Sequence, residues 1–78
     1  MEIKIGDFVL IDSKYDPENT ILIVTDVKNN QVFGNIVKST YPIGASTYGH
    51  FKTFIKITDP DEIEKLQLTH KIYLLGKS

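Results

Sequence analysis

Thr20-Ile21-Leu22-Ile23-Val24-Thr25-Asp26-Val27 carries the strongest strand signal in the chain. Ile21, Ile23, Thr25 and Val27 fall on one side of an extended backbone, Leu22 and Val24 on the other. β-Branched residues pack well on a pleated surface, and a strand apolar on both sides belongs in the middle of a sandwich or barrel. A central strand is therefore predicted over 20–27.

The segments on either side read as its partners. Lys28-Asn29-Asn30-Gln31 is a short polar connection, and asparagine tolerates the positive φ that a tight hairpin needs. A return strand over 31–38 follows, with Gly34 marking a bend or a close backbone approach. Upstream, Ile3 and Ile5 alternate with Glu2 and Lys4, Gly6-Asp7 interrupts as a bulge or bend, and Phe8–Ile11 continues as an apolar run. Together these predict a first strand over 2–11. Asp12–Asn19 is polar and rich in turn formers, so it reads as a loop.

Ser39–Gly49 is the longest irregular stretch, with Pro42, Gly44, Gly49 and two Ser-Thr-Tyr triplets. Alternation resumes after it and predicts a strand over 50–57. Asp59-Pro60-Asp61-Glu62 is a helix start: Asp59 suits the cap, Pro60 the first helical position, and Glu62 the capping-box acid. One short helical turn is expected over 60–66, then a last strand over 70–75. Shared phase within the strands places Ile21, Ile23, Ile36, Ile55, Ile57, Ile72 and Leu74 in the core.

The fold class is then all-β, a single domain over 1–78 with five strands and one short helical turn before the last. That series, with Ile5-Gly6-Asp7-Phe8-Val9-Leu10-Ile11 near its start and Asp59–Leu66 before its closing strand, resembles the SH3-like small barrels. The resemblance implies a five-stranded SH3-like small barrel and no particular function, since a fold of this kind hosts many. Polyproline recognition is not implied, because only Tyr15 stands in the loop where the aromatic cluster of signalling SH3 domains would lie.

Composition narrows the function classes. A 78-residue chain buries about 60% of the surface it exposes when unfolded, enough for one small core that self-association would strengthen. With no cysteine, disulfides and thiolate metal sites are excluded. The first residues lack the apolar run of a secretory signal, and no stretch approaches the ~18 apolar residues of a membrane span, so a cytoplasmic protein without a membrane partner is expected. All nine basic residues are lysine, against ten acids, for a net charge of −1. Arginine's bidentate fork is missing, which weighs against a dedicated nucleic-acid reader. Eleven isoleucines and lysine without arginine also resemble the coding bias of an AT-rich genome, a low-GC bacterium or its phage. A phage source would make a host protein the expected target.

No motif supplies chemistry. Gly44 and Gly49 have the glycine spacing of a phosphate loop, but His50 and Phe51 stand where Lys and Ser or Thr are required. Asp12–Ile23 fails the calcium-loop pattern at Lys14, Pro17 and Ile23. His50 and His70 lack metal-ligand spacing, and no serine sits in a nucleophile elbow. No catalytic residue and no cofactor are expected. The long 39–49 stretch is either a solvated loop packed on the barrel or a recognition loop, and its candidate partner-binding residues are Tyr41, Ile43, Ser46, Thr47 and Tyr48. Lys52, Phe54 and Lys56 form an alternative nucleic-acid face, with an aromatic ring between two lysines. The expected function is a non-enzymatic binding module, an adaptor or inhibitor with a protein partner. The alternatives are a nucleic-acid or nucleotide-binding barrel, and a structural or assembly subunit forming homo-oligomers.

Overall fold

Five antiparallel strands and one long helix make up the computed structural model, which describes residues 3–39 and 42–77. The strands are β1 (Phe8–Ile11), β2 (Ile21–Lys28), β3 (Gln31–Lys38), β4 (Ser46–His50) and β5 (Phe54–Lys56). A 3₁₀ turn, Phe51–Thr53, joins β4 to β5, and α1 (Pro60–Lys77) follows. The sheet order is β4-β3-β2-β1-β5, which places β2 centrally as its two apolar sides require.

Local chemistry accounts for the meander. Asn29 and Asn30 take φ of 53° and 62°, the left-handed values that match a two-residue turn to the twist of its strands. Gly34 is a close approach: an ideal Cβ there would stand 2.6 Å from the Ile23 carbonyl oxygen and 3.1 Å from the Leu22 Cβ. The β2–β3 register shifts between Ile21 and Leu22 and again between Val24 and Asp26, and such irregularities bend and twist a strand.

The bending has a topological consequence. The outer strands of a flat five-stranded sheet lie roughly 19 Å apart, four spacings of ~4.8 Å. Three residues of 3₁₀ helix, rising about 2 Å each, cannot bridge that gap. The sheet therefore curls until its edges approach, and an ideal Cβ on Gly49 would sit 3.5 Å from the Phe54 ring. No ladder joins β4 to β5, so the curled sheet is not closed into a barrel.

Both faces bury apolar surface. Ile3, Val9, Leu22, Val24, Val32, Ile36 and Phe54 fill the concave side. Phe8, Ile21, Val37 and Ile57 on the convex side pack with Leu66 of α1, with Leu10, Ile23 and Ile63 at the margin. The helix is thus a second layer over part of the sheet.

Several sequence expectations are corrected. The first strand starts at Phe8: residues 4–7 form a turn in which the Lys4 N–H donates to Asp7 Oδ2 (2.8 Å), the Asp7 N–H donates to the Lys4 carbonyl (3.0 Å), and Gly6 takes φ of 94°. The expected strand over 50–57 is interrupted by the 3₁₀ turn, and β4 begins earlier, at Ser46. Residues 70–75 are helical: the short turn expected over 60–66 is the start of an 18-residue helix. Pro60 does open it, and the Ile63 N–H donates to the Asp59 carbonyl at 3.0 Å. Ile63, Leu66, His70 and Tyr73 recur at spacings of three and four on one side, while Leu68, Ile72 and Leu75 do so on the other. Two opposed apolar stripes cancel the one-sided pattern by which a surface helix is recognised. Ile72 and Leu74, expected in the core, are 60% and 50% exposed, and Ile55 on edge strand β5 is also exposed. Ile21, Ile36 and Ile57 are buried as expected, and Ile23 is half-buried.

Candidate functional site

The loop after β1 is built around two aspartates. The Asp12 carbonyl accepts from the N–H groups of Tyr15 (2.8 Å) and Asp16 (3.1 Å), and Asp12 Oδ1 accepts from the Lys14 N–H (3.1 Å). Asp16 Oδ1 accepts from the Glu18 N–H (3.0 Å), and its Oδ2 accepts from both the Thr20 hydroxyl and the Thr20 N–H. Thr20 is buried, and its hydroxyl also lies 2.9 Å from Ser39 Oγ, which ties the loop to the end of β3. The Thr20 hydroxyl, and after it the Glu18 amide, hold the Asp16 carboxyl below its ordinary value of 3.8.

Beside this loop the unclosed, curled sheet leaves an open cleft of about 590 Å³. Ile11, Ile36 and Ala45 contribute its apolar floor; Thr47 and Thr53 place hydroxyls around it, while the Ser46 hydroxyl donates to Asn35 Oδ1 (3.1 Å) on the other face. Among the described residues Asp16 is the one charged group that lines it. The end of β1, the loop after it, the end of β3, the start of β4 and the end of the 3₁₀ turn line the cleft, so it opens beside the start of β4.

β4 is an edge strand, and its register tells which polar groups it leaves open. The Ile36 N–H donates to the Ala45 carbonyl at 2.9 Å, and the pairing continues as Asn35 with Ser46, Gly34 with Thr47, and Phe33 with Tyr48. Hydrogen-bonded and non-hydrogen-bonded pairs alternate in an antiparallel ladder. Thr47 therefore spends its amide on β3, whereas Ser46 and Tyr48 turn N–H and C=O toward the open edge.

Tyr48 is 66% exposed, and its ring stacks on Phe33 with centroids 5.4 Å apart and an interplanar angle of 23°. Lys28 Nζ lies 5.8 Å from the centre of the Phe33 ring. A shallow groove along this pair includes Thr25, Ser46 and Thr47, so the start of β4 stands between two concavities.

The structure brings Ser46, Thr47 and Tyr48 together on β4 and places Ile43 in the preceding turn, 38% exposed; Tyr41 lies outside the described residues. It does not assemble the alternative face. Phe54 is 3% exposed in the concave core, Lys52 lies within the 3₁₀ turn, and Lys56 is 3.4 Å from Asp7. The turn shifts the side-chain phase between Lys52 and Phe54, which leaves no ring between the lysines for a base to stack on. His50 has a local role: its Nδ1 accepts from the Lys52 N–H at 3.2 Å, and its ring stacks on Phe51 at 4.6 Å. Phe33, Asp16 and Thr53 are the contributors that the sequence did not single out; only the strand register and the curl place them.

The chain matches no protein-family model, no curated protein and no solved structure. Among the described residues no three histidine or carboxylate groups cluster as metal ligands, and no helix is long and apolar enough to cross a membrane.

Proposed function

We propose that the chain is a non-enzymatic protein-binding module on an SH3-like small-barrel plan, engaging its partner along β4 and the turn before it. The plan is supported by a polar loop after β1, a two-residue turn after β2 and a 3₁₀ turn leading into β5. The observation that carries the binding reading is Tyr48: an exposed ring, stacked on Phe33 and standing on an edge strand. A ring already held by a neighbour loses little entropy on binding, and tyrosines of this kind anchor interfaces beyond their share of area.

A second reading has its own observation. The Phe33–Tyr48 stack with Lys28 beside it is a small aromatic and cationic surface of the kind on which bases stack. The tagged chain and its Tyr48→Ala variant, incubated with nuclease-treated and untreated lysate, separate the two. Protein retained by the parent after nuclease treatment, and lost by the folded variant, supports the protein-binding reading. Retention that disappears with nuclease and falls steeply with salt overturns it in favour of nucleic acid. Identical retention by parent and variant overturns both.

A further inference from the structure

The seam of the curled sheet joins three features: an edge with unused backbone groups at Ser46 and Tyr48, a cleft with an apolar floor, and a carboxylate at the rim of that cleft. We propose that the partner enters as an extended strand pairing with Ser46–Tyr48, setting a branched aliphatic side chain into the cleft with a basic residue two positions away reaching Asp16. This deepens the protein-binding reading, on which it rests, by naming the mode and the chemistry of the segment.

The mode follows from backbone geometry. An edge strand is a template for another strand, and main-chain bonds then give affinity while alternate side chains give specificity. Side chains of an added strand point alternately to its two sides. Beside β4 one side is the cleft, reached by Thr47, and the other is the groove along Tyr48 and Phe33. Residues i and i+2 of the partner thus share the cleft side.

The chemistry follows from what lines the cleft. Ile11, Ile36 and Ala45 offer no hydrogen-bonding side chain, so the residue set over them is apolar. The flanking loop holds Asp12, Asp16 and Glu18 against Lys14, three acids to one base, which favours a cation at the rim. Asp16 accepts one bond on Oδ1 and two on Oδ2, and a carboxylate has about four acceptor sites, so Oδ1 retains capacity for an incoming donor. A second copy of this chain fits less well: its own β4, Ser-Thr-Tyr-Gly-His, brings neither an aliphatic residue nor a lysine.

The test is an amide-resolved NMR titration of the full chain with the capped heptapeptide Thr-Lys-Thr-Val-Thr-Lys-Thr. The comparison peptides carry glutamate for both lysines, alanine for valine, or N-methyl groups at the odd or the even positions only. The result expected is binding with shifts at Ser46–Tyr48 and Thr53, weakened about tenfold by glutamate. One N-methyl series should abolish it and the other leave it intact, which only a strand paired along one edge produces. Asp16→Asn should erase the lysine preference; should that variant not fold, Ser46→Pro removes an amide the sheet itself does not use and should weaken the parent peptide. Absence of binding by every peptide at millimolar concentration overturns the proposal, as do shifts centred on α1 or equal effects of the two N-methyl series. Ordering of β4 edges between two copies without peptide, seen as concentration-dependent shifts at Ser46–Tyr48, also overturns it. If the strand mode fails while Tyr48→Ala still loses a nuclease-resistant protein partner, the wider binding reading stands alone.

Discussion

The ring of Tyr73 on α1 occupies the space that a side chain on residue 44 would need. Gly44 takes φ of 89°, and an ideal Cβ built on it would stand 2.9 Å from the Tyr73 Cζ and closer still to its hydroxyl oxygen. The far half of the helix is thereby seated on the turn that launches β4, and backbone conformation and space both demand glycine there.

Gly44→Ala should accordingly destabilise the fold by about 1–3 kcal/mol, from left-handed strain together with overpacking. Urea denaturation measures this. Adding Tyr73→Ala should recover part of the loss, because removing the ring removes the clash and leaves only the strain. Strict additivity of the two substitutions would show that they do not touch.

Leu22 and Ile72 give a sharper contrast. Leu22 is fully buried on the concave face, so Leu22→Ala should cost about 2–5 kcal/mol. Ile72 is 60% exposed, and Ile72→Ala should stay within about 0.5 kcal/mol of the parent. Thermal melts of the two variants report both values, and a large loss at Ile72 would mean that this side of α1 is covered.

Asp16 ties acid stability to the loop after β1. Its carboxyl is held below 3.8, first by the Thr20 hydroxyl and then by the Glu18 amide. A depressed carboxyl contributes stability that is fully present above its unfolded value and is lost as pH falls through the folded one. Asp16→Asn should therefore be less stable than the parent at pH 7, and the two should converge as pH is taken below 3.8. A constant difference between pH 7 and strongly acid conditions would assign the effect to shape and not to charge.

Tyr48→Ala should lower stability by no more than about 1.5 kcal/mol, the worth of an aromatic pair, since the ring is mostly solvated. Near-parental denaturation with loss of the retained partner separates binding from folding. A collapse of the fold would instead make Tyr48 a structural residue.

What the sequence made legible was local. The two apolar sides of β2, the Asn29-Asn30 turn, the polar loop 12–19 and the helix start at Pro60 each follow from a few adjacent residues. What it hid depends on contacts between distant segments. α1 bears apolar stripes on opposite sides, so its later turns read as a strand in residues 70–75. Phe54 lost its phase relation to Lys52 because three residues of 3₁₀ helix intervene. The composition of 39–49 singled out Ser46, Thr47 and Tyr48 as part of a loop, whereas the structure places them on edge strand β4. The cleft beside them, and the pairing of Tyr48 with Phe33, exist only once the sheet has curled and its register is set.

The pairing of Val9 with Lys56 also orders events in time. β2, β3 and β4 adjoin along the chain and can zip as a meander, with short loops to close. β1 receives its second neighbour only when residues 54–56 arrive, after a far longer loop has closed, and closure over long separations is the slow part of folding. On a ribosome, where synthesis proceeds at about 5–20 residues per second, β1 waits for several seconds with one side unpaired. A nascent chain interrupted before Phe54 would keep the apolar run Phe8–Ile11 at an unprotected edge, so premature termination there yields a species prone to aggregate rather than a smaller version of the fold.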